Sequence, residues 1–160
     1  MVDRRREEAV WKRVMEVSAQ APECCRVKEH PELTAEQIKD LLAEEMADAC
    51  TYEALAGCVR SDVRRKLLYL AQQERCHSQK LETIYYLMTG KKACMDRPKR
   101  PCIVCLSEEL RSHYAREVES GEKYHCLAEK AGSFARVFHE LGIEEERHAY
   151  EVLCILQKCL

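Results

Sequence analysis

The chain has 160 residues, enough for one domain with a substantial core. Its formal charge of −2 leaves no global basic field to attract nucleic acid, and 34% charged residues with five Gly and four Pro read as a mostly helical protein rather than a β-sandwich. Its apolar runs are only a few residues long, against the roughly 20 that span a bilayer, so neither a membrane helix nor a membrane partner is expected.

The opening "MVDRRREEAVWKRVMEV" is basic without an apolar stretch after it, so export is not expected and the compartment reads as cytoplasmic. Eleven cysteines are then no disulfide framework. Six of them (Cys50, Cys58, Cys76, Cys126, Cys154, Cys159) fall in predicted helices, where they are expected mostly as small buried hydrophobes. Residues 1–33 read as a separate segment: a short amphipathic helix over 3–20 with Val10, Trp11, Val14 and Val17 near one side, then the break "APECCRVKEHPEL".

From residue 34 onward the pattern predicts an all-α four-helix bundle over 34–160. Thr34-x-x-Gln37 is a capping box that opens a helix over about 35–59. Ser61 or Asp62 caps a second helix, which stops at Gly90. A Pro- and Lys-rich linker, "KKACMDRPKRPCIVC", leads to a third helix over about 107–131, capped by Ser107. "GS" at 132–133 turns into the fourth. The fifteen-residue linker, fully extended, just covers helices of about 40 Å, so it can form a long crossover.

Each helix carries one apolar seam at steps of three and four. The seams run Ile38, Leu42, Glu45, Ala49, Tyr52, Ala56 in the first helix and Leu67, Leu70, Glu74, His77, Leu81, Ile84 in the second. The third has Leu110, His113, Glu117, Ser120, Tyr124, Leu127, and the fourth Phe138, Leu141, Glu145, His148, Val152, Ile155. Carboxylates and imidazoles therefore interrupt every seam near its middle.

The chain also repeats. "EMADACTYEALA" from Glu45 aligns without gaps on "EVESGEKYHCLA" from Glu117, and Glu74/His77 recurs 71 positions on as Glu145/His148. Two related helical hairpins follow. Glu-x-x-His alone is weak, and a third pair, Glu122/His125, lies off the seam and is expected to be solvent-exposed. Height is more telling. Glu45 lies 16 positions before residue 61 and His77 lies 16 after it, while Glu117, Glu145 and His148 sit comparably about the turn at 132–133. In antiparallel hairpins, equal distance from the turn means equal height, so all six groups converge in one interior layer.

Four carboxylates and two imidazoles in apolar surroundings cost several kcal/mol per uncompensated charge, and no Lys or Arg lies on the seams at that level. Divalent cations relieve the cost, and hard oxygen donors with two imidazoles suit iron or manganese.

Glu from two helices plus Glu-x-x-His from the other two is the di-metal pattern of ferritin-like bundles. With Tyr52 seven residues after Glu45, Tyr124 seven after Glu117, and "FARVFHELGIEEERH" leading into Glu145-x-x-His148, residues 35–158 resemble the rubrerythrin branch of that superfamily. The resemblance implies two iron ions, with manganese as the other metal considered. Glu74 and Glu145 would bridge them, Glu45 and Glu117 would be terminal ligands, and His77 and His148 would each cap one ion. Tyr52 and Tyr124 would hydrogen-bond the ligand carboxylates; the plainer reading makes them core rings with satisfied hydroxyls.

The chain departs from the family where a further carboxylate is expected one turn after Glu117, at Ser120. Asp48 is its counterpart on the first helix and a candidate extra ligand. A register through Glu119 and Glu122 leaves the seam. His113 also points inward, as a further ligand or a satisfied core histidine. The family's rubredoxin domain is not among these residues. Only one Cys-x-x-Cys arm, Cys102 and Cys105, occurs near Cys94, with Cys24 and Cys25 upstream: a metal knuckle, a redox dithiol or inert thiols.

The expected function is reduction of hydrogen peroxide or dioxygen with electrons from an external donor such as a rubredoxin, in a homo-oligomer, a dimer being the expected state. Ferritin-type iron oxidation and storage, and a metal-binding interaction module without turnover, are the competing readings.

Overall fold

The computed structural model describes residues 33–159. The expected N-terminal helix over 3–20, together with Cys24 and Cys25, lies outside the described residues. Four helices follow in order: α1 (Ala35–Cys58), α2 (Ser61–Thr89), α3 (Leu106–Ala128) and α4 (Ala135–Cys159), with a 3-10 turn at Gly132–Phe134 before α4. No strand occurs among the described residues, and none of these helices is long and apolar enough to cross a membrane.

Local chemistry sets the helix ends. At the start of α1 the Gln37 backbone N–H donates to the Thr34 hydroxyl at 3.2 Å and the Thr34 N–H donates to the Gln37 side chain at 2.9 Å, which closes the capping box. Gly90 ends α2 at φ 67°, a left-handed conformation that costs glycine nothing, and its N–H donates to the Tyr86 carbonyl. Two expected caps are corrected. Ser61 and Asp62 are already helical, after an N-cap at Arg60 that supplies no side-chain bond, and Asp62 instead pairs with Arg65. Ser107 lies inside α3, whose N-cap is Cys105, and α3 stops at Ala128 rather than near 131.

The core forms two apolar layers. One gathers Ile38, Leu41 and Leu42 from the start of α1, Leu81 and Ile84 from the end of α2, Tyr124 from late α3, and Phe138 and Leu141 from the start of α4. The other joins Tyr52 and Leu55 to Leu67 and Leu70, Leu110, Val152 and Ile155. Thus α1 and α2 form one antiparallel hairpin and α3 and α4 another. Because α2 finishes in the first layer and α3 begins in the second, residues 90–105 must run the length of the bundle. It lays Ala93 and Met95 on the first layer and Ile103 on the second. The side chain of Arg100 ties this strap to the Glu53 carbonyl at 3.4 Å.

The seams read from spacing face inward, with Ser120 and Leu127 only half-buried. The helical cysteines do not behave as expected. Cys58 and Cys126 are exposed and Cys50, Cys76, Cys154 and Cys159 half-buried, because they flank the seams rather than lie on them, apart from Cys159, the last residue of α4, which packs against the second layer. All nine described cysteines are free thiols.

Phe138 is fully buried where both hairpins meet, whereas Leu87 is 65% exposed. Urea unfolding should show Phe138→Ala losing about 3–5 kcal/mol and Leu87→Ala changing stability by less than about 0.5 kcal/mol. Equal losses would contradict this packing.

Candidate metal centre

Between the two apolar layers lies a polar one. Glu45, Glu74, His77, Glu117, Glu145 and His148 are all buried, none more than 4% exposed. Each stands one or two helical turns from an apolar seam residue, so the packing that buries the seam carries the ligand-type side chains in with it. Glu74, His77, Glu145 and His148 offer donor atoms that all lie within 4.8 Å of one another.

The donors divide into two sets. His77 Nδ1 is 3.2 Å from Glu45 Oε2, 3.1 Å from Glu74 Oε2 and 2.7 Å from Glu145 Oε1. His148 Nδ1 is 2.8 Å from Glu74 Oε1, 3.5 Å from Glu145 Oε2 and 3.7 Å from Glu117 Oε2. Glu74 and Glu145 therefore turn one oxygen to each imidazole, while Glu45 serves only the His77 side and Glu117 only the His148 side. The two rings stack at 5.1 Å, 17° from parallel.

Several of these close approaches are not hydrogen bonds. Glu74 Oε1, Glu145 Oε1 and His148 Nδ1 are buried without a bonded partner, although Glu74 Oε1 and His148 Nδ1 are 2.8 Å apart. Short separation without donor–acceptor alignment is what lone pairs aimed at a common point produce. The residues present fit a metal ion on that ground, and a buried Glu/His cluster able to hold one is the class of site that this bundle builds.

The tyrosines cross between hairpins. Tyr52 on α1 donates its hydroxyl to Glu117 Oε1 on α3, and Tyr124 on α3 donates to Glu45 Oε1 on α1. Each leaves the carboxylate's other oxygen facing an imidazole. Burial, then the adjoining carboxylates, hold both phenols well above their ordinary pKa, so they remain donors.

His113 and Asp48 stand aside from the convergent set. The His113 ring packs edge-on against Tyr52, its Nδ1 meets the Arg116 guanidinium, and its Nε2 is 3.6 Å from Glu117 Oε1 with no hydrogen bond. Burial, then the Arg116 charge, lower its pKa to about 3, so the ring is neutral. Asp48 lies at the rim, 3.5 Å from Arg116 Nε and 3.8 Å from His113 Nδ1, and burial raises its carboxyl to about 7. In this arrangement neither group adds a donor to the two sets. Ser120 is half-buried beside them and brings no carboxylate.

The off-seam pair behaves as expected for Glu122, which is exposed. His125 is half-buried instead. Its ring covers Gly142, where an added Cβ would lie 2.7 Å from it, and its Nε2 is 3.1 Å from Glu146. Spacing did not reveal Glu144 and Arg116, each one position before a ligand-type Glu and outside the seams. Glu144 Oε2 lies 3.0 Å from His77 Nε2. Comparison with protein-family models, with curated proteins and with solved structures returned no match.

Without metal the layer is neutralised by protons. Burial chiefly, with the Glu74 and Glu145 charges, holds Glu45 and Glu117 well above the ordinary carboxylate range. Burial also opposes charge on Glu74 and Glu145, but the two imidazoles at Glu74, and the Glu117 carboxyl followed by both imidazoles at Glu145, outweigh it and keep both low. Burial would lower the imidazoles, yet the surrounding carboxylates raise His77 strongly and His148 to about 12. These directions favour protons on Glu45, Glu117, His77 and His148 in the metal-free layer. Metal uptake must displace protons, so it weakens as pH falls. Calorimetry in buffers of different ionisation enthalpy should detect proton release on metal uptake, with Glu45, Glu117, His77 and His148 as the sources. Uptake without proton release would overturn this charge assignment.

Proposed function

We propose that this chain is a di-iron redox protein of rubrerythrin type that reduces hydrogen peroxide with electrons from an external donor. The observation that carries the reading is the division of oxygens between the imidazoles: one oxygen of Glu74 and one of Glu145 to each, with one terminal carboxylate per side. That division suits two ions bridged by two carboxylates. The long crossover between parallel α2 and α3 supports assigning the bundle to the ferritin-like class. Oxygen donors with two imidazoles favour iron, with manganese next, over thiolate-preferring metals. The free thiols fit a reducing cytoplasm.

Under this reading Glu45 and His77 would hold one ion, Glu117 and His148 the other, and Glu74 and Glu145 both. The chemistry such a pair supplies when bound is two-electron reduction of peroxide to water, one electron per ferrous ion. The rest falls to the chain. Tyr52 and Tyr124 fix the orientation of the terminal carboxylates and hold protons at their hydroxyls. The apolar layers on either side keep bulk water from the donors. Asp48 and Ser120 form a half-buried rim beside the polar layer.

Protein loaded anaerobically with ferrous ion and mixed by stopped flow with peroxide or with oxygen tests the reading. Rapid consumption of peroxide supports it. Preference for oxygen with retention of ferric ion in a large assembly would indicate iron storage, and inertness toward both would indicate a binding module. Glu74→Ala should lose paired-metal binding and fall to the uncatalysed rate, while Glu122→Ala should keep wild-type metal content. Equal metal content in the two variants would refute the assignment of the seam.

A further inference from the structure

The repeat makes the two halves of the site nearly equivalent, and the structure shows where the equivalence fails. Behind His77, on the Nε2 edge that faces away from the donors, stands Glu144 Oε2 at 3.0 Å. Lys80 Nζ donates to the same oxygen at 2.6 Å and anchors it. His77 is fully buried, its Nε2 has no formed hydrogen bond, and Glu144 is the one carboxylate at that edge among the described residues, so a small rotation completes the contact. Glu144 itself is half-buried at 30% exposure.

Among the described residues His148 has no such support. The three carboxylates that approach its ring all face Nδ1. The 71-residue offset that maps Glu74 onto Glu145 and His77 onto His148 maps Glu144 back onto Gln73, and Lys80 onto Glu151. Gln73 lines the same surface groove as His148, so the position equivalent to the supporting carboxylate holds a neutral amide. Glu151 is instead paired with Lys66.

A carboxylate on the outer nitrogen of a ligating imidazole fixes its tautomer, so that the inner nitrogen offers its lone pair, and raises its basicity; an amide does this far more weakly. We infer that the two metal positions are unequal, and that Glu144, anchored by Lys80, makes the His77 position the tighter one. Glu144 is a positioning residue that acts through His77. The inference rests on the dinuclear reading above and adds an order of filling to it.

Titration of the purified chain with manganous chloride, followed by calorimetry and electron paramagnetic resonance, tests it. Wild type should bind two ions in separate phases, and at one equivalent the spectrum should be that of an isolated ion, with the coupled-pair signal arriving only with the second. Glu144→Gln should weaken the tighter phase by about tenfold to a hundredfold, merge the phases, and bring coupled signal in at one equivalent. Gln73→Glu should close the gap from the other side by strengthening the weaker phase, which keeps the test decisive if Glu144→Gln folds poorly. Glu146→Gln, which removes the same charge from an exposed neighbour paired with His125, should leave both phases unchanged. One shared affinity in wild type, or the same response from Glu144→Gln and Glu146→Gln, overturns the inference while the dinuclear reading stands. Uptake of fewer than two ions by wild type overturns both.

Discussion

Six ionisable side chains share one layer of the bundle interior, and the rest of the structure is arranged around that cost. Isolated charges buried between apolar layers would each cost several kcal/mol. Here no charge is isolated: each imidazole meets three carboxylates at its Nδ1, and each terminal carboxylate accepts from a tyrosine. The apolar layers above and below fix the spacing of the helices, and the polar layer uses that spacing to bring donors from all four together. Packing strength and site geometry are one property in this fold.

The cross-hairpin bonds deepen that coupling. Tyr52 belongs to the first hairpin and orients Glu117 of the second, while Tyr124 of the second orients Glu45 of the first. Neither hairpin can complete its half of the centre alone. Around the donors the near-symmetry this creates is broken: His113 stands where the repeat has Leu41, Ser120 where it has Asp48, and Glu144 where it has Gln73. The breaks fall around the donors and leave the donors intact, so they alter the surroundings of each half without altering the ligand set.

The charge argument drawn from spacing is refined by the geometry. A layer rich in acidic groups need not hold cations to exist, because protons on His77, His148, Glu45 and Glu117 can neutralise it. What distinguishes a metal site from a protonated cluster is direction. Atoms at hydrogen-bond separation that do not point at one another, such as Glu74 Oε1 and His148 Nδ1, are arranged about a shared centre. Spacing cannot carry that distinction, since it fixes which face a residue occupies and not the torsion of its side chain.

Periodicity by itself determined the four helices, the residues of each seam, the height at which Glu45, Glu74, His77, Glu117, Glu145 and His148 meet, and the exposed position of Glu122. These follow from the 3.6-residue turn and from the antiparallel hairpin, both local or nearly local rules. Only the tertiary structure decided the rest. It divided the oxygens of Glu74 and Glu145 between two imidazoles, set His113 against Arg116 and Asp48 away from the donors, left the helical cysteines outside the core, and brought Glu144 behind His77. Those contacts join residues 3 to 74 positions apart through rotamers and helix rotation, and such freedoms are settled by the packing of all four helices together rather than by any one stretch of chain.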